Sequence, residues 1–115
     1  MIVGHEKDLE YKIMVAEDVK GAGMKKLVGP EEGWESHVMR QVNLEARGYS
    51  PKHQHDWPHI NYVLKGEGVI FIEGEEYPVK PGSYAYIPAG RLHQFINRTD
   101  EELSFICIVP KEGHL

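Results

Sequence analysis

Glycine and proline residues interrupt this chain at short intervals, and their spacing limits the chain to short secondary-structure elements. The 115 residues include 12 glycines and 7 prolines. The runs between them either alternate in polarity or are rich in β-branched and aromatic side chains, which is typical of β-strands. Helix signals fill at most one turn, within residues 6–10 and 31–35. We therefore predict an all-β fold, either a sandwich or a barrel.

Turn-forming residues separate the runs that carry the strand pattern. Gly21-Ala22-Gly23 is expected to break the chain between the first two runs. The predicted strands are residues 11–16, 24–28, 37–46, 59–65, 69–72, 76–79, 83–87, 92–97 and 103–109.

Length, charge and cysteine content limit the classes of protein to which the chain can belong. A chain of this length has room for one domain, residues 1–115. The net charge of −5 comes from interspersed charges of both signs, and without a basic cluster we expect no nucleic-acid partner. No apolar run reaches the length of a membrane span, so we expect no membrane association. Cys107 is the single cysteine, which excludes an internal disulfide and favours the reducing cytoplasm.

Three of the seven histidines lie within the segment from Pro51 to His59. On a strand, His53 and His55 would point to the same face, since side chains two residues apart do so. Pro58 would end that strand and allow His59 to enter from the next one. Neutral imidazole is a common ligand of transition metals. From these residues alone, a metal site and a set of solvated or structural histidines both remain open.

A second segment, residues 82–97, contains one histidine among turn-forming residues. Gly82 permits a sharp entry, and Pro88 with Gly90 forms a tight turn that directs His93 into the following strand. Asn97 shares a strand face with His93, because the second position follows the first by four residues, an even number.

Together the two segments resemble the paired motifs of the cupin family. The first cupin motif reads G-x(5)-H-x-H-x(3,4)-E-x(6)-G, and the second reads G-x(5)-P-x-G-x(2)-H-x(3)-N. Residues 82–97 match the second motif at every fixed position. Residues 48–66 match the first with two departures. Four residues rather than five separate Gly48 from His53, and His59 stands in place of the glutamate.

The resemblance implies a single-domain cupin jelly-roll barrel, a double-stranded β-helix, over residues 36–110. It also implies one divalent transition metal inside the barrel, held by His53, His55, His59 and His93. Manganese and iron are common in the family, and nickel, copper or zinc would also suit imidazole ligands. Small cupins of this kind are typically homodimers, and residues 1–35 would then add a strand to the partner's sheet.

A site of four histidines differs in charge from the usual cupin site of three histidines and one glutamate. Four neutral imidazoles leave the double positive charge of the ion uncompensated, which favours an anionic further ligand. An octahedral ion would keep two adjacent positions open for a chelating substrate, or for a substrate and dioxygen. We therefore expect a metal-dependent oxygenase or dioxygenase that acts on a small oxygenated or anionic molecule. The alternatives are a metal-dependent isomerase, a sugar-binding cupin and a non-catalytic small-molecule-binding cupin.

Arg40 is the one candidate catalytic residue outside the histidines. It falls on the apolar face of the strand predicted at 37–46, together with Val38 and Val42, where a charge is costly unless it is paired. One interpretation places its guanidinium against a carboxylate at the rim of the barrel. The other points it into the ligand cavity, where its planar fork would bind an anionic group of the substrate.

Overall fold

Nine strands and three short 3₁₀ turns follow one another in a computed structural model that describes residues 1–114. Leu115, the last residue of the predicted domain, lies outside the described residues. None of the helical turns in the described part is long and apolar enough to cross a membrane. The turns are Glu6–Asp8, Pro30–Glu32 and Lys111–His114. The strands are β1 (Lys12–Ile13), β2 (Lys20–Val28), β3 (His37–Tyr49), β4 (His59–Lys65), β5 (Gly68–Ile72), β6 (Glu75–Val79), β7 (Tyr84–Ile87), β8 (His93–Ile96) and β9 (Leu103–Pro110).

The strands form one antiparallel sheet in the order β6-β5-β8-β3-β9-β4-β7, with β2 on the other side of β3 and β1 beyond it. The 13-residue strand β3 pairs with β9 along residues 37–44 and with β8 at its last residue, where Tyr49 faces Ile96. This change of partner lets the sheet turn a corner and curl into a nearly closed barrel. The prediction of an all-β jelly-roll barrel is confirmed.

Alternation along the strands decides which side chains enter the barrel. In β4, the side chains of His59, Asn61 and Val63 are buried while the intervening ones are exposed, as the two-residue period of a strand requires. Phe105, which is 2% exposed, stacks on Phe95 with ring centroids 4.3 Å apart. These two rings join β8 to β9 across the interior, and the Phe95 ring lies 6.1 Å from the His59 ring. The apolar core therefore continues directly into the histidine region.

The predicted break at the N-terminal glycines is wrong. Strand β2 begins at Lys20 and runs through residues 21–23 without interruption. Gly21 has a φ of +57°, and the pairing of β2 with β3 shifts between Lys20 and Ala22, which is the geometry of a β-bulge. The glycines therefore bend the strand rather than end it. Strand β1 is also shorter than predicted, whereas the strand predicted at 59–65 is confirmed residue by residue.

Gly66, the last glycine of the first motif, is required by packing. It follows β4 with a φ of +81°, in the left-handed region that favours glycine. A Cβ atom at this position would overlap the carbonyl oxygen of Glu102. The chain can therefore leave β4 beside the start of β9 only where a side chain is absent.

Candidate metal centre

Backbone hydrogen bonds tie the two histidine segments together. Residues 50–58 do not form the expected strand, and within them only His53 makes an isolated β-bridge, to His93. The N–H of His53 donates to the carbonyl of His93 at 3.1 Å, and the reverse bond is 3.0 Å long. The N–H of Gly90 donates to the carbonyl of His55 at 2.8 Å. The turn residues of the second segment thus hold the first segment in place.

Three imidazoles converge at this bridge. The ring centroids of His53, His55 and His93 lie 4.9 Å apart in each of the three pairs. One ring nitrogen of each histidine lies within 4.8 Å of a nitrogen of both others. His93 is buried, His55 half-buried and His53 exposed. The prediction that His53 and His55 lie side by side agrees with the structure, but residue 53 forms a bridge to His93 rather than part of a strand.

His59 reaches the same cluster from the first position of β4. Its Nε2 atom lies 3.0 Å from Nε2 of His93, and its ring centroid lies 5.5 Å from that of His55. His59 is not part of the group formed by His53, His55 and His93, whose ring nitrogens all lie within 4.8 Å of one another. The His59 ring therefore lies close to that of His93, at 4.7 Å between centroids, and somewhat farther from that of His55. That His59 completes a four-histidine ligand set stays a prediction.

Hydrogen bonds at Nδ1 fix the protonation state of three rings. His59 Nδ1–H donates to Oδ1 of Asn61 at 2.7 Å, since the amide nitrogen of Asn61 is directed at the carbonyl of Ile106. His55 Nδ1–H donates to the carbonyl of Trp57 at 3.0 Å. His93 Nδ1–H donates to the carbonyl of residue 91 at 2.8 Å. Because each neutral ring carries one proton, Nε2 of each ring is left with a free lone pair.

Withdrawal from water keeps the imidazoles of His53, His59 and His93 neutral. It lowers the pKa of His59 to about 3, and the neighbouring His93 adds to the effect. Although His53 as a whole residue is exposed, partial loss of water around its ring lowers its pKa to about 4, with smaller contributions from His93 and His55. The pKa of His93 is also lowered by burial, although its hydrogen bond to a backbone carbonyl acts in the opposite direction. The rings are therefore in the form that binds a metal near pH 7.

This donor set fits a transition-metal ion. Two unprotonated Nε2 atoms at 3.0 Å cannot hydrogen-bond to each other, and their lone pairs repel unless a cation lies close to both. Burial lowers the pKa of both His59 and His93, which disfavours a shared proton. Two imidazole nitrogens bound to one ion at about 2.1 Å each lie about 3.0 Å apart when they form a right angle at the ion. The cluster is therefore compatible with a metal site.

The histidines form one end of a cavity of about 320 Å³, which is near the lower limit for small-molecule sites. Its other walls are mostly apolar. They include Met14, Met24, Val42, Trp57 and Phe105. The described lining contains no aspartate, glutamate, lysine or tyrosine. The cavity thus combines a cluster of nitrogen ligands with a water-excluding wall.

A family model described as a cupin domain matches residues 40–109. The chain belongs to the cupin family. The matched region begins within β3, ends one residue before the end of β9 and includes both histidine segments of the cupin. The resemblance drawn from the two motifs is confirmed.

This cupin is similar to proteins with different activities. It is 27% identical to a polyketide cyclase from Streptomyces resistomycificus, with a TM-score of 0.89 over 96% of this chain and 79% of that one. It is 31% identical over 58 residues to an oxalate-binding protein from Thermotoga maritima. The matched residues cover 50% of this chain and 47% of that protein. It is 32% identical over 65 residues to a glucose-6-phosphate isomerase from Thermococcus onnurineus. That match covers 51% of this chain and 34% of that protein. The match spans less than half the length of these two curated relatives.

Arg40 lines the cavity of the cupin rather than its rim. Its Nη2–H donates to Sγ of Cys107 at 3.1 Å, and its Nη1–H approaches the carbonyl of Gly113 at 3.5 Å. Among residues 1–114, no carboxylate lies within ion-pair distance of this guanidinium. The interpretation that pairs Arg40 with a carboxylate is therefore not supported. Its role as a catalytic residue stays a prediction.

Two contributions to the site have little signal in the sequence. Asn61 orients His59, and its spacing two residues after a histidine on a predicted strand is the only indication of this role. Trp57 stacks on the His55 ring with centroids 4.6 Å apart and planes 8° apart. Gly113 comes so close to Trp57 that an added Cβ would lie 2.5 Å from the indole Nε1. That contact joins the end of the described chain to the histidine cluster, across more than 50 residues, and no local pattern predicts it.

Proposed function

We propose that this cupin binds one divalent transition metal through His53, His55, His59 and His93. We further propose that it acts as a metal-dependent enzyme on a small oxygenated or anionic molecule. The observation that carries the proposal is the 3.0 Å approach of two unprotonated Nε2 atoms at the end of the cavity. His53 and His55 place two more ring nitrogens beside His93. Manganese or iron is the favoured ion, and nickel, copper or zinc would also bind a set of nitrogen ligands.

An ion in this position would act as a Lewis acid toward oxygen atoms of the substrate and, as iron or manganese, would exchange electrons with dioxygen. The protein side chains prepare the site for that chemistry. The four imidazoles contribute no negative charge, so the positive charge of a bound ion would stay uncompensated and would attract anionic oxygen atoms. Phe105 and Val42 exclude water and strengthen electrostatic interactions by lowering the local dielectric constant. Arg40 would hold an anionic group and fix the orientation of the substrate.

An oxygenase or dioxygenase reaction is the class that the cavity lining favours. Apart from the histidines, Arg40 and Cys107 are the ionisable side chains of the described lining. A proton-transfer reaction requires a base within hydrogen-bonding reach whose pKa is close to the working pH. The carboxylate or lysine that would commonly serve as that base is absent from the described lining. Oxidation by dioxygen depends less on such a group.

A redox-neutral reaction such as isomerisation is the second candidate. The similarity to the polyketide cyclase at 27% identity and to the glucose-6-phosphate isomerase at 32% identity favours it. Both relatives are named for reactions on oxygen-rich molecules, which a metal with uncompensated positive charge would bind. The proton would then have to move through an imidazole of the cluster or through the thiol of Cys107, which lies 3.8 Å from His59 Nδ1.

We also propose that two copies of the chain form a homodimer through the outer face of β4 and β7. Across this strand pair, Ile60 faces Tyr86 and Tyr62 faces Tyr84. All four side chains are exposed, and Tyr84 is the most exposed at 83%. An exposed apolar patch of this kind commonly marks a protein interface. The strand contributed by residues 1–35, the cytoplasmic location and the absence of a nucleic-acid partner stay predictions from the sequence.

Oxygen uptake tests the proposed reaction class. Protein loaded with iron or manganese would be screened against small catechols, diketones and thiols in an oxygen electrode. We expect uptake that requires both metal and substrate and is lost in His59→Ala. Turnover without oxygen consumption would favour the redox-neutral candidate, and metal-dependent binding without turnover would indicate a non-catalytic cupin.

A further inference from the structure

We propose that the natural ligand of this cavity is a small carboxylate with an apolar body, and that Arg40 binds its carboxylate group. This inference rests on the proposed function, because it names the substrate class of the same cavity. Three features of the described residues carry it: the unpaired guanidinium, its unused hydrogen-bond donors and the apolar wall beside it.

The pairing of the strands directs Arg40 inward. Arg40 on β3 faces Cys107 on β9, and Cys107 faces Asn61 on β4. These three residues form a polar row across the barrel wall. The neighbouring row contains the apolar residues Val42 and Phe105. The row ends at Asn61, which orients His59. Arg40 is therefore connected to the histidine cluster through Cys107, whose Sγ also lies 3.8 Å from His59 Nδ1.

The guanidinium of Arg40 retains donors that the protein does not use. Among residues 1–114, only two buried side-chain nitrogen or oxygen atoms lack a hydrogen-bond partner, and one of them is Nε of Arg40. Nη2 contacts Sγ of Cys107, which is a weak acceptor, and Nη1 has only a long contact to the Gly113 carbonyl. The Arg40 side chain is half-buried, and an arginine that served the fold alone would be expected to pair its charge or to extend it into solvent, since an unpaired charge withdrawn from water destabilises a protein. A planar anion is the partner that would satisfy this group.

The number of donors favours a carboxylate over a phosphate. A carboxylate carries one negative charge and two oxygen atoms, which match the fork of one arginine. A phosphate group carries more charge and a third oxygen, and it commonly requires several donors. Arg40 is the only arginine or lysine of the described lining. The Ser50 hydroxyl is already engaged, because its O–H donates to the carbonyl of Pro51 at 3.4 Å while its oxygen accepts from the backbone N–H of Phe95 at 2.9 Å.

The wall beside Arg40 suits an apolar body. Met24 faces Val42 across β2 and β3, and Val42 faces Phe105 across β3 and β9. Met14 completes this side of the cavity. Methionine side chains adapt to ligands of different shapes, and a volume of about 320 Å³ limits the ligand to a small molecule. The carboxylate would lie at Arg40, the body against this wall, and a further oxygen atom toward the histidines.

Benzoate is a suitable probe, with the neutral benzamide and inorganic phosphate as comparison compounds. We expect millimolar benzoate to raise the Tm of metal-free protein in a saturable way, and benzamide and phosphate to have much weaker effects. In Arg40→Met, the Kd for benzoate should rise at least about tenfold, because a charge-assisted pair is lost. Without ligand, the Tm of this variant should rise by about 3 °C, because an unpaired charge has been removed.

Arg98→Met is the matched control, because Arg98 is 54% exposed and pairs with Glu76 on the surface. It should leave the benzoate response unchanged. Arg40→Lys keeps the charge without the fork and should bind benzoate with intermediate affinity, which provides a test if Arg40→Met does not fold. A benzoate Kd that neither Arg40 variant changes would overturn the inference.

Measurements on metal-free protein separate this inference from the proposed function. Loss of benzoate binding in the Arg40 variants supports the carboxylate site even if the histidines bind no metal. Metal binding by the histidines together with Arg40-independent benzoate binding would leave the proposed function standing and refute the inference.

Discussion

The Nε2 atoms of His59 and His93 lie 3.0 Å apart in the interior of the barrel, and both rings donate their single proton elsewhere. The two residues come from different strands, and each is less than 5% exposed. Such an arrangement of facing lone pairs is unfavourable by itself, and a cation that accepts both lone pairs removes the repulsion. The structure therefore favours metal binding at the place where the two cupin motifs meet.

The amide of Asn61 should control metal affinity through His59. Asn61→Leu removes the acceptor for His59 Nδ1–H, so the ring can rotate or change tautomer. Loss of such a partner weakens metal binding by about 10- to 100-fold. Asn61→Asp keeps an acceptor at the same position and should retain most of the affinity. Competition with a chromophoric chelator measures both variants, and equal affinity of Asn61→Leu and the wild type would contradict this role.

Gly113 should affect the histidine cluster through Trp57. In Gly113→Ala, the new methyl group would lie 2.5 Å from the indole Nε1, so the indole or the turn must move. Trp57 stacks on His55 and accepts its Nδ1–H through the backbone carbonyl. We expect a shifted tryptophan emission spectrum and weaker metal binding. Gly4→Ala is the control, since a Cβ at Gly4 meets nothing within 4 Å. An unchanged emission spectrum in Gly113→Ala would show that the contact is not maintained.

The stability of the metal-free protein should fall as the pH is lowered below about 6.5. Burial lowers the pKa of His59 to about 3 and that of His53 to about 4. The unfolded chain takes up protons on these histidines near their ordinary pKa of about 6.5, while the folded chain does not. The unfolded state then binds more protons, so the free energy of unfolding decreases as the pH falls. The loss should continue to the folded-state pKa values.

Urea unfolding of metal-free protein between pH 7 and pH 5 measures this dependence above the range in which carboxylates titrate. His59→Gln should flatten the profile, whereas His5→Gln should not, because His5 is exposed. A wild-type profile that is already flat in this range would contradict the buried, neutral state of the cluster. Protons should compete with a metal for His53 and His59 only at lower pH, near the folded-state pKa values of about 4 and about 3.

The outer face of β4 and β7 should determine the oligomeric state. Tyr84→Lys and Tyr86→Lys place charges in the centre of the exposed apolar patch. We expect the wild type to have twice the mass of one chain by light scattering, and the double variant to have the mass of one chain. Glu67→Lys, which alters charge outside the patch, should remain dimeric. A wild-type protein that is monomeric at micromolar concentration would refute the proposed interface.

Local sequence patterns predict the barrel well where burial alternates along a strand. His59, Asn61 and Val63 follow the two-residue period of β4, and the bounds of this strand are predicted residue by residue. The pattern fails at Gly21, because a bulge between β2 and β3 depends on the partner strand and not on the glycine alone. It also fails for His53 and His55, whose convergence results from a bridge to His93 rather than from a strand.

The position of Arg40 illustrates why the rest of the site could not be predicted. Its face on β3 follows from the sequence, but its neighbour Cys107 follows from the register of β3 against β9. Before this register is known, the sequence does not decide whether the residue paired with Arg40 is a carboxylate. The contact between Gly113 and Trp57 is of the same kind, because both depend on pairing between residues far apart in the chain.

The nitrogen coordination of the bound ion tests the central claim most directly. X-ray absorption at the edge of the metal in iron- or manganese-loaded protein counts the imidazole ligands of the ion. Our account predicts one ion per chain with about four imidazole nitrogens in the wild type, and one fewer in His59→Gln. An ion with oxygen or sulfur ligands only, or an imidazole count that His59→Gln leaves unchanged, would contradict it.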